Sequence, residues 1–156
     1  LGAAGAAAFA LAVATVARNQ VWRDPLTLWR DAAEKSPNKA RPHLAIGNFL
    51  RDAGDLAGAE REWVRAAELD PADSAVRNQL GSLAIARGDL RAAEAHLRRA
   101  LEARGVLPDV YYNLALVLEA TGRRAEALAM YRTFVERAPP DRAREVAEVR
   151  ARFGWR

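Results

Sequence analysis

Histidine, cysteine and paired carboxylates are the side chains that most often do chemistry, and this chain offers few of them. It has no cysteine, which excludes a thiolate zinc site, a disulfide and a cysteine nucleophile. His43 and His96 are the only histidines, too few to build a metal centre. Glu60 and Glu62 stand two residues apart, on opposite faces of a helix, so they cannot form an acid–base dyad. We expect His43 to pack in a core or interface and His96 to be solvated.

Short catalytic motifs are also missing from the sequence. It contains no nucleophile elbow, no phosphate-binding P-loop, no H-E-x-x-H zinc motif and no EF-hand loop. Gly54, Gly88 and Gly122 stand too far apart to cradle a phosphate and are typical of helix ends, where glycine adopts a left-handed conformation at little cost. We therefore predict that the chain is not an enzyme and binds no cofactor, metal or small-molecule substrate.

Composition predicts an ordinary folded domain. The chain has 156 residues, of which 51% are apolar and 28% charged, so it can bury a core. Lys and Arg number 24 against 20 Asp and Glu. Arginine pairs such as Arg98–Arg99 have no lysine-rich neighbours, which disfavours a nucleic-acid partner. Alanine is frequent and strand-forming residues are sparse, which predicts an all-α protein.

The three glycines belong to a repeat of 34 residues, which spans 40–73, 74–107 and 108–141. Small residues at positions 8 and 20 let two antiparallel helices approach closely, and glycine at position 15 ends the first helix. A large residue at position 24 is expected to fill the space between one helix pair and the next, and proline or glycine at position 32 ends the second helix. The recurring residues at positions 7, 8, 11, 20, 24, 27 and 32 are Ile46, Leu80, Leu114; Gly47, Gly81, Ala115; Leu50, Ala84, Leu118; Ala59, Ala93, Ala127; Trp63, Leu97, Tyr131; Ala66, Ala100, Phe134; and Pro71, Gly105, Pro139.

At these positions the sequence resembles the tetratricopeptide repeat (TPR) family. The resemblance implies an α-solenoid of antiparallel helix pairs with three full repeats. Two residues depart from the family pattern: Gly105 replaces the usual proline, and Phe134 replaces a small residue. Glycine also terminates a helix, and Phe134 falls in the last repeat, where a different element must pack.

A junction and half repeat, residues 18–39, precede the three full repeats. Trp29, Ala32 and Pro37 take positions 24, 27 and 32, and Asp24 followed by Pro25 predicts the start of their helix. The segment 142–156 predicts a C-terminal capping helix, because solenoid ends need a polar-faced cap. Its expected apolar stripe is Ala143, Val146, Ala147, Val149 and Phe153.

Residues 1–17 form an uncharged, Ala-rich stretch that predicts an N-terminal hydrophobic helix. It could be the C-terminal part of a transmembrane helix, the apolar region of a signal peptide, or a buried helix packed on the repeats. We favour the transmembrane interpretation, because the chain begins with Leu1 and sequence is therefore expected upstream.

The stretch 18–41 bears a second resemblance, to the junction between the membrane part and the repeats in transmembrane-and-TPR proteins related to membrane mannosyltransferases. In such proteins the catalytic part lies in the membrane region upstream. The residues that carry the resemblance are Arg18, Asn19, Trp22, Asp24, Thr27, Leu28, Trp29, Asp31, Ser36, Pro37, Ala40 and Arg41.

The TPR resemblance also implies a concave groove, lined by positions 2, 5, 9 and 12 of each first helix. Its mixed polarity suits an extended or helical peptide; alternatively, the groove holds nothing or packs on another part of the same protein. A carboxylate clamp is disfavoured, because Leu44, Asp109 and Asn113 stand where basic groups would be. The candidate groove residues are Arg41, Leu44, Asn48, Arg51, Asn78, Ser82, Ile85, Tyr112, Leu116 and Glu119.

These patterns predict a protein–protein interaction scaffold, the soluble part of a bacterial protein attached to the inner membrane through residues 1–17. Two alternatives stay open: a C-terminal accessory domain of a membrane glycosyltransferase, and a structural subunit of a larger membrane complex. Basic residues after the apolar run favour a cytoplasmic repeat domain, whereas the junction resemblance favours the periplasmic side, to which we lean.

Overall fold

The computed structural model describes residues 24–156 and, before them, residues 2, 5–7, 9, 11, 13 and 15. The part from 24 onward is built from α-helices and one 3₁₀ turn, with a single isolated bridge between Asp73 and Arg104 in place of any sheet. This confirms the predicted all-α fold. The chain divides into two compact units, Leu1–Leu69 and Asp70–Arg156.

The first unit contains three helices, α1 (Pro25–Lys35), α2 (Ala40–Asp52) and α3 (Leu56–Leu69). Asp24 caps α1 as predicted: its carboxylate accepts hydrogen bonds from the backbone N–H groups of Leu26 and Thr27 at 3.1 and 3.3 Å. Helices α2 and α3 form the first complete hairpin, and α1 packs on α2.

The second unit contains two more hairpins and a final helix. Its helices are α4 (Ser74–Ala86), α5 (Leu90–Glu102), α6 (Pro108–Ala120), α7 (Arg124–Arg137) and α8 (Ala143–Phe153), with a 3₁₀ turn at Pro140–Arg142. Helices α4 and α5 pair, α6 and α7 pair, and α6 also packs on both α4 and α5. Leu97, Leu114 and Tyr131 lie in one core that joins these pairs.

The turn inside each hairpin has the backbone conformation that the glycine spacing predicts. Gly54, Gly88 and Gly122 have φ of +85°, +77° and +78°. Each backbone N–H that follows them bonds back into the preceding helix, as Asp89 N–H does to the Ala84 carbonyl at 2.9 Å. The glycines therefore terminate the first helices and aim the chain into the second.

Close helix contact at position 8 is also confirmed. A Cβ atom added to Gly47 would lie 2.5 Å from the Trp63 indole, and one added to Gly81 would lie 2.7 Å from Leu97 Cγ. In these two hairpins the large position-24 side chain therefore also packs against the glycine of its own hairpin, which leaves a gap that the side chain fills.

The capping segment forms α8, but its apolar stripe is narrower than predicted. Val149 is buried and Val146 and Phe153 are half-buried, whereas Ala143 and Ala147 are exposed. Phe134, the unusual large residue at position 27, is buried with its ring centroid 5.0 Å from that of Tyr112. An aromatic contact thus accommodates it in the last repeat.

The predicted membrane helix at 1–17 falls largely outside the described residues. Of its apolar side chains, those of Phe9, Leu11 and Val13 are described and are 73%, 68% and 52% exposed. Among the described residues, no helix combines the length and the apolar character needed to cross a bilayer.

Candidate protein-binding faces

The ten candidate groove residues lie on the first helices of the three hairpins. Four lie on α2 in the first unit and six on α4 and α6 in the second. We name these the α2 face (Arg41, Leu44, Asn48, Arg51) and the α4/α6 face (Asn78, Ser82, Ile85, Tyr112, Leu116, Glu119).

The α2 face combines two exposed arginines with two half-buried side chains, Leu44 and Asn48. Asn48 is oriented by the core: its Oδ1 accepts a hydrogen bond from Trp63 Nε1 at 3.2 Å. Arg51 pairs with Asp52, with Nε 2.9 Å from Oδ1. The face is therefore basic mainly at Arg41.

On the α4/α6 face, amide and hydroxyl groups bond to one another across the two helices. Asn113 Nδ2 donates to Asn78 Oδ1 at 2.9 Å and to Ser82 Oγ at 3.0 Å. Asn78 is only 7% exposed. Asn78 therefore offers little to a partner, because its oxygen already accepts a hydrogen bond and most of its surface is covered.

Tyr112 belongs to an aromatic cluster. Its ring centroid lies 5.0 Å from that of Phe134 and 5.9 Å from that of Tyr131. The ring centroid of Phe153, on α8, lies 5.4 Å from that of Tyr131. Ile85 and Leu116 are half-buried and pack on the same core. Each of these side chains keeps only part of its surface for a partner.

Two acidic side chains of α6 pair with arginines that follow α7. Arg152 pairs with Glu119, which also accepts from the Tyr131 hydroxyl at 3.1 Å. Arg142 pairs with Asp109, with Nη2 2.6 Å from Oδ2. Burial, and then the Glu119 carboxylate, raise the pKa of Tyr131 well above its usual range, so the hydroxyl stays a donor. Sequence reasoning missed these ion pairs, because their partners are 33 residues apart.

Of the two histidines, only His96 differs from expectation. His43 is half-buried, and its Nδ1 lies 2.7 Å from Glu62 Oε2, which agrees with an interface histidine. His96 is half-buried rather than solvated as predicted, because on α5 it lies next to the buried Leu97 and one turn from the buried Ala93 and Ala100. Among the described residues, no group of three histidines or carboxylates could hold a metal ion.

Sequence reasoning also missed a cleft of about 480 Å³ between α1 and the start of α2. Leu28, Trp29 and Ala32 line it from α1, and Pro42 and Arg41 line it from α2. The half repeat could have indicated this cleft, because it is a second helix whose predicted partner helix matches the repeat pattern poorly.

Comparison with known proteins agrees with the helical repeat. Residues 78–143 match the family model described as tetratricopeptide repeat. The chain is similar to Protein O-mannosyl-transferase TMTC1 of Homo sapiens and of Mus musculus, with 32% identity over 69 residues in each case. The match covers 44% of this chain but only 8% of the human protein and 7% of the mouse protein.

Solved structures give the same fold. MamA has a TM-score of 0.63 at 24% identity, covering 84% of this chain and 78% of that chain. YrrB has a TM-score of 0.66 at 24% identity, covering 70% and 57%. The Pseudomonas aeruginosa protein pilF has a TM-score of 0.67 at 21% identity, covering 91% and 65%. Residues 78–143 thus carry the TPR pattern, and the chain has the all-helical fold of tetratricopeptide-repeat proteins.

Proposed function

We propose that this chain is a protein–protein interaction scaffold that binds a peptide or protein segment on its first helices. The observation that carries the proposal is the character of the α4/α6 face. Ile85, Tyr112 and Leu116 are large side chains held half-exposed on rigid helices, beside a hydrogen-bonded polar group. Preorganised aromatic and aliphatic side chains of this kind are typical anchors for peptides.

Two further observations support this proposal. The recurring glycines and small residues of the repeat serve helix packing and turns, so the helix surface is what remains available for a function. YrrB, one of the similar structures, is described as a TPR protein with an unusual peptide-binding site.

Site-specific photo-crosslinking tests the proposal. A photo-reactive phenylalanine analogue replaces Ile85 on the α4/α6 face and, as the matched control, Val64 on the outer side of α3, which is 43% exposed. The expected result in cells is a discrete crosslinked species from position 85 and none from position 64. Equal crosslinking at both positions, or none at either, contradicts the proposal.

Tyr112 and Asn78 are poor choices for this experiment. Tyr112 belongs to the aromatic cluster and Asn78 accepts from Asn113, so replacing either perturbs packing as well as binding. Ile85 lies at the edge of the core and near the end of α4, so its replacement separates the two effects better.

A second candidate function is that of an accessory domain of a membrane glycosyltransferase that positions an acceptor protein. The similarity to Protein O-mannosyl-transferase TMTC1 supports it, together with the junction pattern at 18–41. The candidate predicts many apolar segments encoded before Leu1. Sequencing the gene upstream distinguishes it from a free-standing scaffold.

We also propose attachment to the bacterial inner membrane through residues 1–17, with the repeats on the periplasmic side. The uncharged composition of this stretch and the exposure of Phe9, Leu11 and Val13 support attachment. Deleting residues 1–17 is expected to move the protein from the membrane to the soluble fraction. A protein that is soluble with these residues intact contradicts the attachment.

A further inference from the structure

Helix α1 has the sequence of a second helix, but its core positions are only partly covered. In the three complete hairpins, the residues at positions 20, 24 and 27 are at most 2% exposed. In α1 the equivalent residues are Pro25, which is exposed, and Trp29 and Ala32, which are half-buried. No residue of α1 is fully buried.

The complete hairpins show what is missing. Trp63, the counterpart of Trp29, is 1% exposed because α2 lies across it with Gly47 against the indole. Leu97 is covered in the same way by Gly81 of α4. Trp29 lacks such complete cover, because it is only half-buried and lines the cleft between α1 and α2. The cleft between α1 and α2 is therefore the place where such a helix would lie.

The cleft has an apolar floor and a basic rim. Leu28, Trp29, Ala32 and Pro42 form the floor. Lys39 and Arg41 form the rim, and both are exposed. Among the described residues, neither has a carboxylate partner.

The remaining charges of the cleft compensate one another. Lys35 Nζ lies 2.6 Å from Asp31 Oδ2. The rim therefore carries a net positive charge, which favours an occupant with carboxylates near Lys39 and Arg41.

The charge of the rim also argues against the chain's own N-terminal stretch as the occupant. Residues 1–17 carry no acidic group. The repeat register places Val13 at position 8, opposite Trp29. At the same position of the first full repeat, the indole of Trp63 leaves room only for glycine. Val13 is also 52% exposed.

We propose that the α1/α2 cleft binds an acidic amphipathic helix of a partner protein, with a glycine of that helix packed on Trp29. The partner helix completes the half repeat as α2 completes the first full one. The inference rests on the proposed scaffold function, but it places this contact on helices other than α4 and α6. Crosslinking from Ile85 and binding in the cleft can therefore fail separately.

Three stabilised helical peptides test the proposal with the full chain. Each has 13 residues and the apolar face of α2, including its glycine. The first carries glutamates on the remaining positions, the second carries lysines, and the third is the glutamate peptide with leucine in place of glycine. Affinity is measured by titration calorimetry, and the Trp29 indole signal is followed by NMR.

The glutamate peptide is expected to bind about tenfold or more tightly than the lysine peptide and to shift the Trp29 signal. The leucine peptide is expected to lose this binding, because its side chain would meet the indole. The double variant Lys39→Glu/Arg41→Glu is expected to reverse the charge preference. The control is Arg61→Glu/Arg91→Glu, which makes the same charge change at exposed positions of second helices and is expected to leave the preference in place.

Four results overturn the proposal. The first is no preference between the glutamate and lysine peptides, and the second is a preference that the Lys39/Arg41 reversal leaves unchanged. The third is peptide binding only after residues 1–17 are deleted, and the fourth is a Trp29 shift with phosphatidylglycerol vesicles but with none of the peptides. The third result assigns the cleft to the chain's own N-terminal stretch, and the fourth assigns it to a lipid surface. Trp29→Ala is a further check, and the charge reversal keeps the test decisive if that variant unfolds.

Discussion

The indole of Trp63 lies so close to Gly47 that a Cβ atom at Gly47 would come within 2.5 Å of both Cδ1 and Nε1 of the ring. The third hairpin has Ala115 and Tyr131 at the same two positions, both buried. Glycine is thus required where the facing side chain is tryptophan, and alanine is accepted where it is tyrosine.

Gly47→Ala is expected to destabilise the chain in spite of alanine's better helix propensity. Overpacking of a core costs about 1–3 kcal/mol, and the propensity gain of about 1 kcal/mol offsets part of it. The net loss, up to about 2 kcal/mol, is measured by urea unfolding followed by far-UV circular dichroism. The double variant Gly47→Ala/Trp63→Tyr copies the third hairpin and is expected to be less destabilised than the sum of its single variants. Additive losses contradict the steric explanation.

Gly88→Ala tests a different property of glycine, because nothing lies within 4 Å of a Cβ atom at Gly88. Its cost comes only from the backbone, which has φ of +77°. We expect a loss of about 1 kcal/mol for alanine and a smaller loss for asparagine, which tolerates left-handed φ better. Denaturant unfolding of both variants measures this difference, and an equal loss for alanine and asparagine would show that the turn conformation is not the cause.

The repeat pattern was enough to predict the hairpins, their left-handed turns and the buried position-24 residues. These features depend on contacts within one repeat, where a fixed sequence spacing determines which side chains meet. Asp24 as the cap of α1 was predictable for the same reason, since its partners Leu26 and Thr27 are its near neighbours.

The surroundings of the candidate faces could not be predicted in this way. Asn113 meets Asn78 from 35 residues away, and Arg152 meets Glu119 from 33 residues away. Both pairs depend on how successive helices pack, and one of them depends on α8, which lies outside the repeat. The incomplete burial of Trp29 is likewise a property of packing, although its position in the half repeat was readable from the sequence.

Asn113→Ala is expected to destabilise the second unit more than a surface substitution does. It removes the donor to both Asn78 Oδ1 and Ser82 Oγ, and Asn78 is 7% exposed, so its oxygen would be left largely without water. Leaving a buried polar group unsatisfied costs about 1–3 kcal/mol. Urea unfolding gives the loss, and Glu102→Ala on the exposed side of α5 is the matched control. A double variant that also replaces Asn78 with Ala is expected to lose less than the sum, because it removes the unsatisfied acceptor as well.

Glu94 should make stability depend on pH. Its carboxylate accepts from Arg123 and from Arg98, and these hydrogen bonds, first that of Arg123, hold its pKa below the ordinary value of 4.5. Because the folded pKa lies below the unfolded one, the carboxylate stabilises the fold above the ordinary value, and this contribution is lost as pH falls through the folded pKa. Glu94→Gln is therefore expected to lower the unfolding free energy near neutral pH and to flatten its decline in acid. Denaturant unfolding at a series of pH values measures both effects, and Glu102→Gln, an exposed glutamate on the same helix, serves as the control. A variant whose stability declines in acid as steeply as that of the unsubstituted chain would show that the Arg123 and Arg98 hydrogen bonds do not favour the ionised form of Glu94.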